Sequence, residues 1–177
     1  MNKWIRLIIA ILVCQLAGVV GSIFTAPSIA TWYSKLQKPF FSPPNWVFAP
    51  VWITLFTLIG ISLYLIWNKG LKDKLVKVSI SVFAVQLILN VLWSFLFFGL
   101  QNPFYGLIEI IMLWIAILIT ILKFYKVDKR AGLLLLPYIL WVSIATVLNY
   151  YIFVLNAVWR TSCDRILYFF LLIYLLM

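Results

Sequence analysis

The chain contains no histidine, only two cysteines and only four acidic residues in 177. Without histidine no imidazole can act as general base, axial haem ligand or metal ligand. Asp73, Glu109, Asp128 and Asp164 lie far apart in the sequence, so they cannot build the paired carboxylates of a hydrolase. No Walker or dinucleotide-type glycine pattern occurs. Charge is scarce in general: charged residues make up 10% of the chain and hydrophobic ones 66%, a balance that excludes a soluble domain of this length.

What is present instead is a series of long uncharged runs. No charge falls between Arg6 and Lys35, Lys38 and Lys69, Lys77 and Glu109, or Arg130 and Arg160. Each gap holds the ~20 apolar residues that cross the hydrocarbon of a bilayer. The expectation is an all-α integral membrane protein, a five-transmembrane-helix bundle, with spans near about 5–26, 46–67, 79–100, 104–124 and 133–155. Residues 1–156 form one membrane domain, because no connection is long enough for a soluble one. Cys14 lies inside the first span and Cys163 beyond the last, so a disulfide would need contact across the bilayer. The absence of charged relays within the spans argues against an ion-coupled pump.

The basic residues orient this bundle. Lys3, Arg6, Lys69, Lys72, Lys74, Lys77, Lys123, Lys126, Lys129 and Arg130 share one side; Lys35, Lys38, Arg160 and Arg165 share the other. That bias places the amino terminus in the cytoplasm. The net charge of +10 is therefore a topology signal and a contact with anionic headgroups, not a nucleic-acid patch. The start of the first span resembles a signal peptide, but its apolar run continues through Phe24 without a good cleavage site, which favours a retained span. Residues 157–177 form an atypical tail whose twelve apolar residues from Ile166 are too few to cross, so it is interfacial or non-native.

One connection stands out. Residues 32–52 carry prolines at 39, 43, 44 and 50, with Trp32, Tyr33, Phe40, Phe41, Trp46, Phe48 and Trp52. Prolines fix backbone angles and remove amide donors. A stiff loop rich in flat side chains suggests a lid over a flat apolar ligand.

Polar residues inside the spans extend this reading. Gln86, Asn90, Trp93 and Phe97 share one face of the third helix by spacing, as do Tyr138, Trp141, Ala145 and Asn149 on the fifth and Trp52, Phe56 and Gly60 on the second. Any single amide is most simply inter-helix glue. Trp93, Asn90 and Trp141, however, lie roughly 15–21 Å from the loop surface at 1.5 Å per residue, too deep for an interfacial belt. Together they read as the walls and polar anchors of a cavity open toward the loop. Glu109, roughly 8 Å deep in the fourth helix, is expected to be shallow and snorkelling, or protonated, and is left out of the site.

These residues carry a resemblance. Trp32-Tyr33, Lys38-Pro39, Pro43-Pro44, Trp46, Phe48 and Pro50-Val-Trp52 resemble the signature of the TspO/MBR family of tryptophan-rich sensory and translocator proteins, the peripheral-type benzodiazepine receptors. The runs from Gln86 to Phe98 and from Pro137 to Asn156 are similar to that family's, in the same order. The resemblance implies a five-helix bundle, often a homodimer, that binds porphyrins such as protoporphyrin IX beneath the first loop. Sterols in animals and synthetic benzodiazepine-type ligands belong to the same family picture. Carried over residue by residue, Tyr33 and Trp52 would contact the ligand's polar groups and Asn90 would line the deeper wall. Trp141 would stack near the ligand with Trp93 and Ala145 beside it, under a lid of Trp32, Lys38, Pro39, Pro43, Pro44 and Trp46. The family's light-dependent porphyrin degradation implicates the tryptophans at Trp52 and Trp141. No metal and no cofactor is required; the porphyrin is a ligand.

There are departures. Phe56 and Ile59 stand where the family frequently has Tyr and Met, and no basic residue follows Tyr150-Tyr151 before Arg160, so the sterol pattern is incomplete. Ala17/Gly21 and Gly18/Ser22 form small-xxx-small pairs that modestly support a dimer face on the first span. Three functions follow: a tetrapyrrole receptor, sensor or transporter; an enzyme-like photo-oxidation of porphyrin; or a structural membrane partner whose loop docks another protein.

Overall fold

The computed structural model describes residues 2–157 in full and, beyond them, only helical backbone to Leu176. The tail expectation for residues 157–177 therefore lies almost wholly outside the described side chains. Among the described residues, five helical segments are long and apolar enough to cross a membrane: Lys3–Thr31, Asn45–Trp67, Lys74–Gly99, Pro103–Val127 and Lys129–Ala157. The protein is an all-α bundle.

Helix α1 (Lys3–Thr31) starts at Asn2, whose side chain accepts from the Trp4 amide, and runs through Pro27. It therefore continues past residue 26, where the expected span ended just before Pro27. Proline removes the amide donor that would have served the Ile23 carbonyl, but its own carbonyl still accepts. Thr31 Oγ1 donates to that carbonyl at 2.8 Å, and buried Ser28 Oγ donates 2.9 Å to the Phe98 carbonyl, pinning the extra turn to another helix. A single 3₁₀ turn, Tyr33–Lys35, leads into the loop.

Helix α2 (Asn45–Trp67) begins directly after extended Pro44 and carries Pro50 within it. It ends where Gly70 takes φ 98°, a left-handed turn that glycine adopts without cost. Asp73 caps α3 (Lys74–Ser94), which passes into a π-helical turn over Phe95–Gly99. Asn102 accepts from two amides at the start of α4 (Pro103–Val127), and Pro103 sits in the first turn where its missing N–H costs nothing.

Asp128 caps the short α5 (Lys129–Leu133). After a break, α6 (Leu136–Leu176) begins with Pro137 in its first turn. The fifth crossing is thus two helices in sequence. In the bundle, α1 packs on α2 and α3, α3 on α4, and α4 on α5 and α6, while α2 closes against α5.

Small residues set how closely these helices approach. A Cβ added to Gly18 would lie 2.6 Å from the Phe56 ring, and one added to Gly21 3.0 Å from Ser94 Oγ. The α1 glycines that suggested a dimer face are therefore occupied inside the chain. Gly60 continues the face of Phe56 onto α1: Phe56 packs on Gly18, and a Cβ added to Gly60 would stand 2.6 Å from Ile11 Cα.

Candidate ligand site beneath the loop

The deep wall is a hydrogen-bonded triad. Asn90 and Gln86 are one turn apart on α3, so both project toward α6. Asn90 Nδ2 donates to the Tyr138 hydroxyl at 2.9 Å, and that hydroxyl donates to Gln86 Oε1 at 3.1 Å. All three side chains are buried. Gln86 Nε2 has no hydrogen-bond partner. The triad fixes the tilt of the Tyr138 ring, and against its edge stands Trp52, with ring centroids 6.3 Å apart. Phe56 stacks on Trp52 at 5.4 Å.

Higher up, Trp93 Nε1 donates to Asn149 Oδ1 at 3.2 Å, and Asn149 Nδ2 donates to the Pro103 carbonyl at 2.8 Å. The Asn149 amide thus ties α3 to the start of α4. Trp93 stacks on Phe97 at 5.2 Å, joining the wall to a second apolar cluster of Tyr33, Phe97, Phe98, Leu148 and Ile152. The π turn makes this possible, because a π-bulge shifts helix register and brings Phe97 and Phe98 edge to face at 4.8 Å.

The loop lies over this second cluster. Tyr33 sits 5.6 Å from Phe98, and Trp32 5.5 Å from Phe97. Lys38 Nζ stands 4.6 Å above the Tyr33 ring, a cation–π contact. Burial raises the Tyr33 phenol's pKa, partly offset by a hydrogen bond with the Ser42 side chain. Phe48 meets Trp141 edge-on at 5.8 Å. Asn156 of α6 grips the loop at both groups of one residue: its Oδ1 accepts from the Gln37 amide at 3.1 Å, and its Nδ2 donates to the Gln37 carbonyl at 3.0 Å.

The sequence-derived residues fall into two groups. Trp52, Asn90, Trp93, Trp141 and Ala145 border the main core, whereas Tyr33 packs in the second cluster with Trp32. Trp93 belongs to both. Of the lid residues, Lys38, Pro39 and Pro43 are half-buried, while Trp46 is 75% exposed and does not cover the interior.

Tyr138, Gln86, Asn149 and Phe48 were not among the expected ligand residues. Helical spacing had placed the first three on the right faces, and that was the available signal. Of the alternatives expected for Glu109, the structure removes the shallow, snorkelling one and leaves the protonated one: it is fully buried, on the face of α4 shared with Gly106, Ile110 and Leu113, and neither carboxyl oxygen has a hydrogen-bond partner. It does not snorkel, because that face of the helix turns into the bundle.

Fold and site together define a multi-pass helical membrane protein with an aromatic and amide-lined interior beneath an ordered loop. A model of the TspO/MBR family matches residues 10–155. The tryptophan-rich protein TspO of Archaeoglobus fulgidus is 51% identical over 86% of this chain and 98% of its own length. The human translocator protein is 36% identical over 82% of this chain and 87% of its own. Protein CrtK of Rhodobacter capsulatus is 36% identical over 81% and 88%. The chain belongs to the TspO/MBR family.

Proposed function

We propose that this membrane protein is a receptor, sensor or transporter that binds tetrapyrroles of the protoporphyrin IX type beneath the loop of residues 36–44. The observation that carries the reading is the Trp52 ring set against Tyr138, whose hydroxyl is held between Asn90 and Gln86. A planar macrocycle needs flat apolar walls and a few fixed polar groups. Trp52, Trp141 and Trp93 supply the walls; Asn90 and the Tyr138 hydroxyl supply the polar floor. Tyr33 and Ala145 complete the set, with the loop as lid. No metal or cofactor enters this function.

The amino terminus is cytoplasmic in this reading, because ten basic residues share its side. A homodimer is part of it too, through a face other than Gly18 and Gly21, which pack within the chain.

The test is a titration of detergent-purified protein with protoporphyrin IX, followed by tryptophan quenching in the dark. Saturable quenching that weakens at least tenfold in Trp52→Phe/Trp141→Phe is the expected result. Absence of saturable quenching overturns the tetrapyrrole reading and leaves a structural partner role. Absorbance under light, in air, then separates binder from enzyme. Porphyrin loss in the wild type but not in the double variant would make photo-oxidation at the two indoles the function.

A further inference from the structure

At the opposite, basic end of the bundle a groove of about 480 Å³ is lined by Leu58 and Leu65 of α2, Arg130 and Leu133 of α5, and Leu134 and Pro137. We propose that this groove holds an anionic phospholipid, with an acyl chain along the leucines and the phosphate on Arg130. The inference is independent of what binds beneath the loop.

The groove is built on fixed contacts. Ser62 Oγ donates to the Ala131 carbonyl at 2.7 Å in the buried interior, fastening α5 to α2. Gly132 lies so close to α4 that an added Cβ would stand 2.9 Å from Tyr125 Cα. Lys69 Nζ holds Asp128 at 3.0 Å and locks the two basic-end loops together. Pro137 has no N–H for the Leu133 carbonyl, so the helix breaks there and leaves the notch open.

The groove also has a direction. Leu58 and Leu65 are about two turns apart, so it runs ~10 Å along α2. Leu65 is four residues from Lys69, which places the polar end at Arg130. The Arg130 side chain is 78% exposed and touches Asp128 through Nε alone, at 3.5 Å. Asp128 is already paired with Lys69, so the outer edge of the guanidinium is free for bidentate contact with a phosphate. Lys126 and Lys129 add to the attraction for a negative headgroup.

A second copy of this chain is a poorer occupant. Among the described residues its acids are Asp73, which caps α3, buried Glu109 and paired Asp128. Glu109 and Asp128 are therefore closed to a neighbouring Arg130, and Asp73 already uses one oxygen to cap α3.

The test uses the full-length protein in mild detergent, offered equal amounts of phosphatidylglycerol and phosphatidylcholine with matched chains. Native mass spectrometry counts the lipids retained. The wild type is expected to prefer phosphatidylglycerol, and Arg130→Gln to lower its retention about fivefold. Leu134→Trp, which fills the groove and keeps the charge, is expected to lower retention of both lipids. Lys74→Gln removes a charge from the same end outside the groove and is expected to change nothing. Equal losses in Arg130→Gln and Lys74→Gln overturn the site in favour of diffuse attraction. No preference in the wild type, or full retention in Leu134→Trp, overturns it as well. Should Leu134→Trp lower the melting temperature, Leu58→Phe replaces it in the same comparison.

Discussion

The two ends of this bundle are held together differently. Toward the basic end, helices meet backbone to backbone. Gly60 lies against the Ile11 main chain and Gly132 against that of Tyr125, each too close for a Cβ. Toward the loop the glycines face side chains instead: Gly18 the Phe56 ring, Gly21 the Ser94 hydroxyl, Gly99 the rings of Phe24 and Phe95. The basic end adds a buried hydroxyl tie from Ser62 and the Lys69–Asp128 ion pair, while the loop end relies on edge-to-face rings, a cation–π contact and the Asn156 grip. Backbone contacts allow no alternative packing, whereas a ring can change rotamer and still fill space. One end is held by backbone contacts and the other by side chains, the end where the proposed ligand would enter.

The sharpest way to break this comparison is a pair of alanine substitutions. In Gly60→Ala the new methyl meets the Ile11 backbone and must push α1 off α2, at a cost of about 3 kcal/mol or more. In Gly18→Ala the methyl meets the far edge of a ring that can turn, at about 1 kcal/mol. Thermal unfolding in detergent is expected to show the large loss only for Gly60→Ala. Porphyrin affinity is expected to fall only for Gly18→Ala, because Phe56 carries Trp52 on its face. Equal losses of stability would erase the distinction between backbone and ring contacts.

An intermediate effect belongs to Asp128. Its pKa is lowered to about 2, chiefly by the hydrogen bond from Lys69. A depressed carboxylate stabilises the fold fully above its ordinary pKa, and that contribution is lost as pH falls toward 2. Asp128→Asn is therefore expected to cost about 1–2 kcal/mol across pH 5–8, as a half-exposed pair should. Melting curves of wild type and variant should converge between pH 4 and pH 2. A gap that persists at pH 2 would show that the effect is not the ion pair.

The smallest expected loss of stability is at Asn156. Asn156→Ala removes two hydrogen bonds to Gln37 at an exposed site, about 1 kcal/mol in all. Its consequence should be kinetic, with bound porphyrin leaving several-fold faster in stopped-flow displacement. An unchanged release rate would mean that the loop is not the exit.

Much of this was legible from charge and spacing. Uncharged runs indicated four of the five crossings and the apolar stretch around Glu109 the other, and helical periodicity put Asn90 with Gln86 and Tyr138 with Trp141. What escaped depends on partners distant in sequence. Helix α1 passes Pro27 because Ser28 reaches Phe98, seventy residues away. The α1 glycines looked available for a second chain until Phe56 and Ser94 were found against them. Glu109 turned inward because the rotation of α4 is set by its packing on α3 and α6. Local pattern does not specify which face of an apolar helix meets which neighbour when nearly every face is apolar.

Hydrogen exchange measured along the whole chain, with and without saturating protoporphyrin IX in the dark, tests the central claim most directly. The account predicts slowed exchange over residues 36–44 and the π turn at Phe95–Gly99, with α5 and the Lys69–Asp128 junction unchanged. Saturable binding that protects the basic end, or leaves the loop exchanging as fast as before, would contradict it.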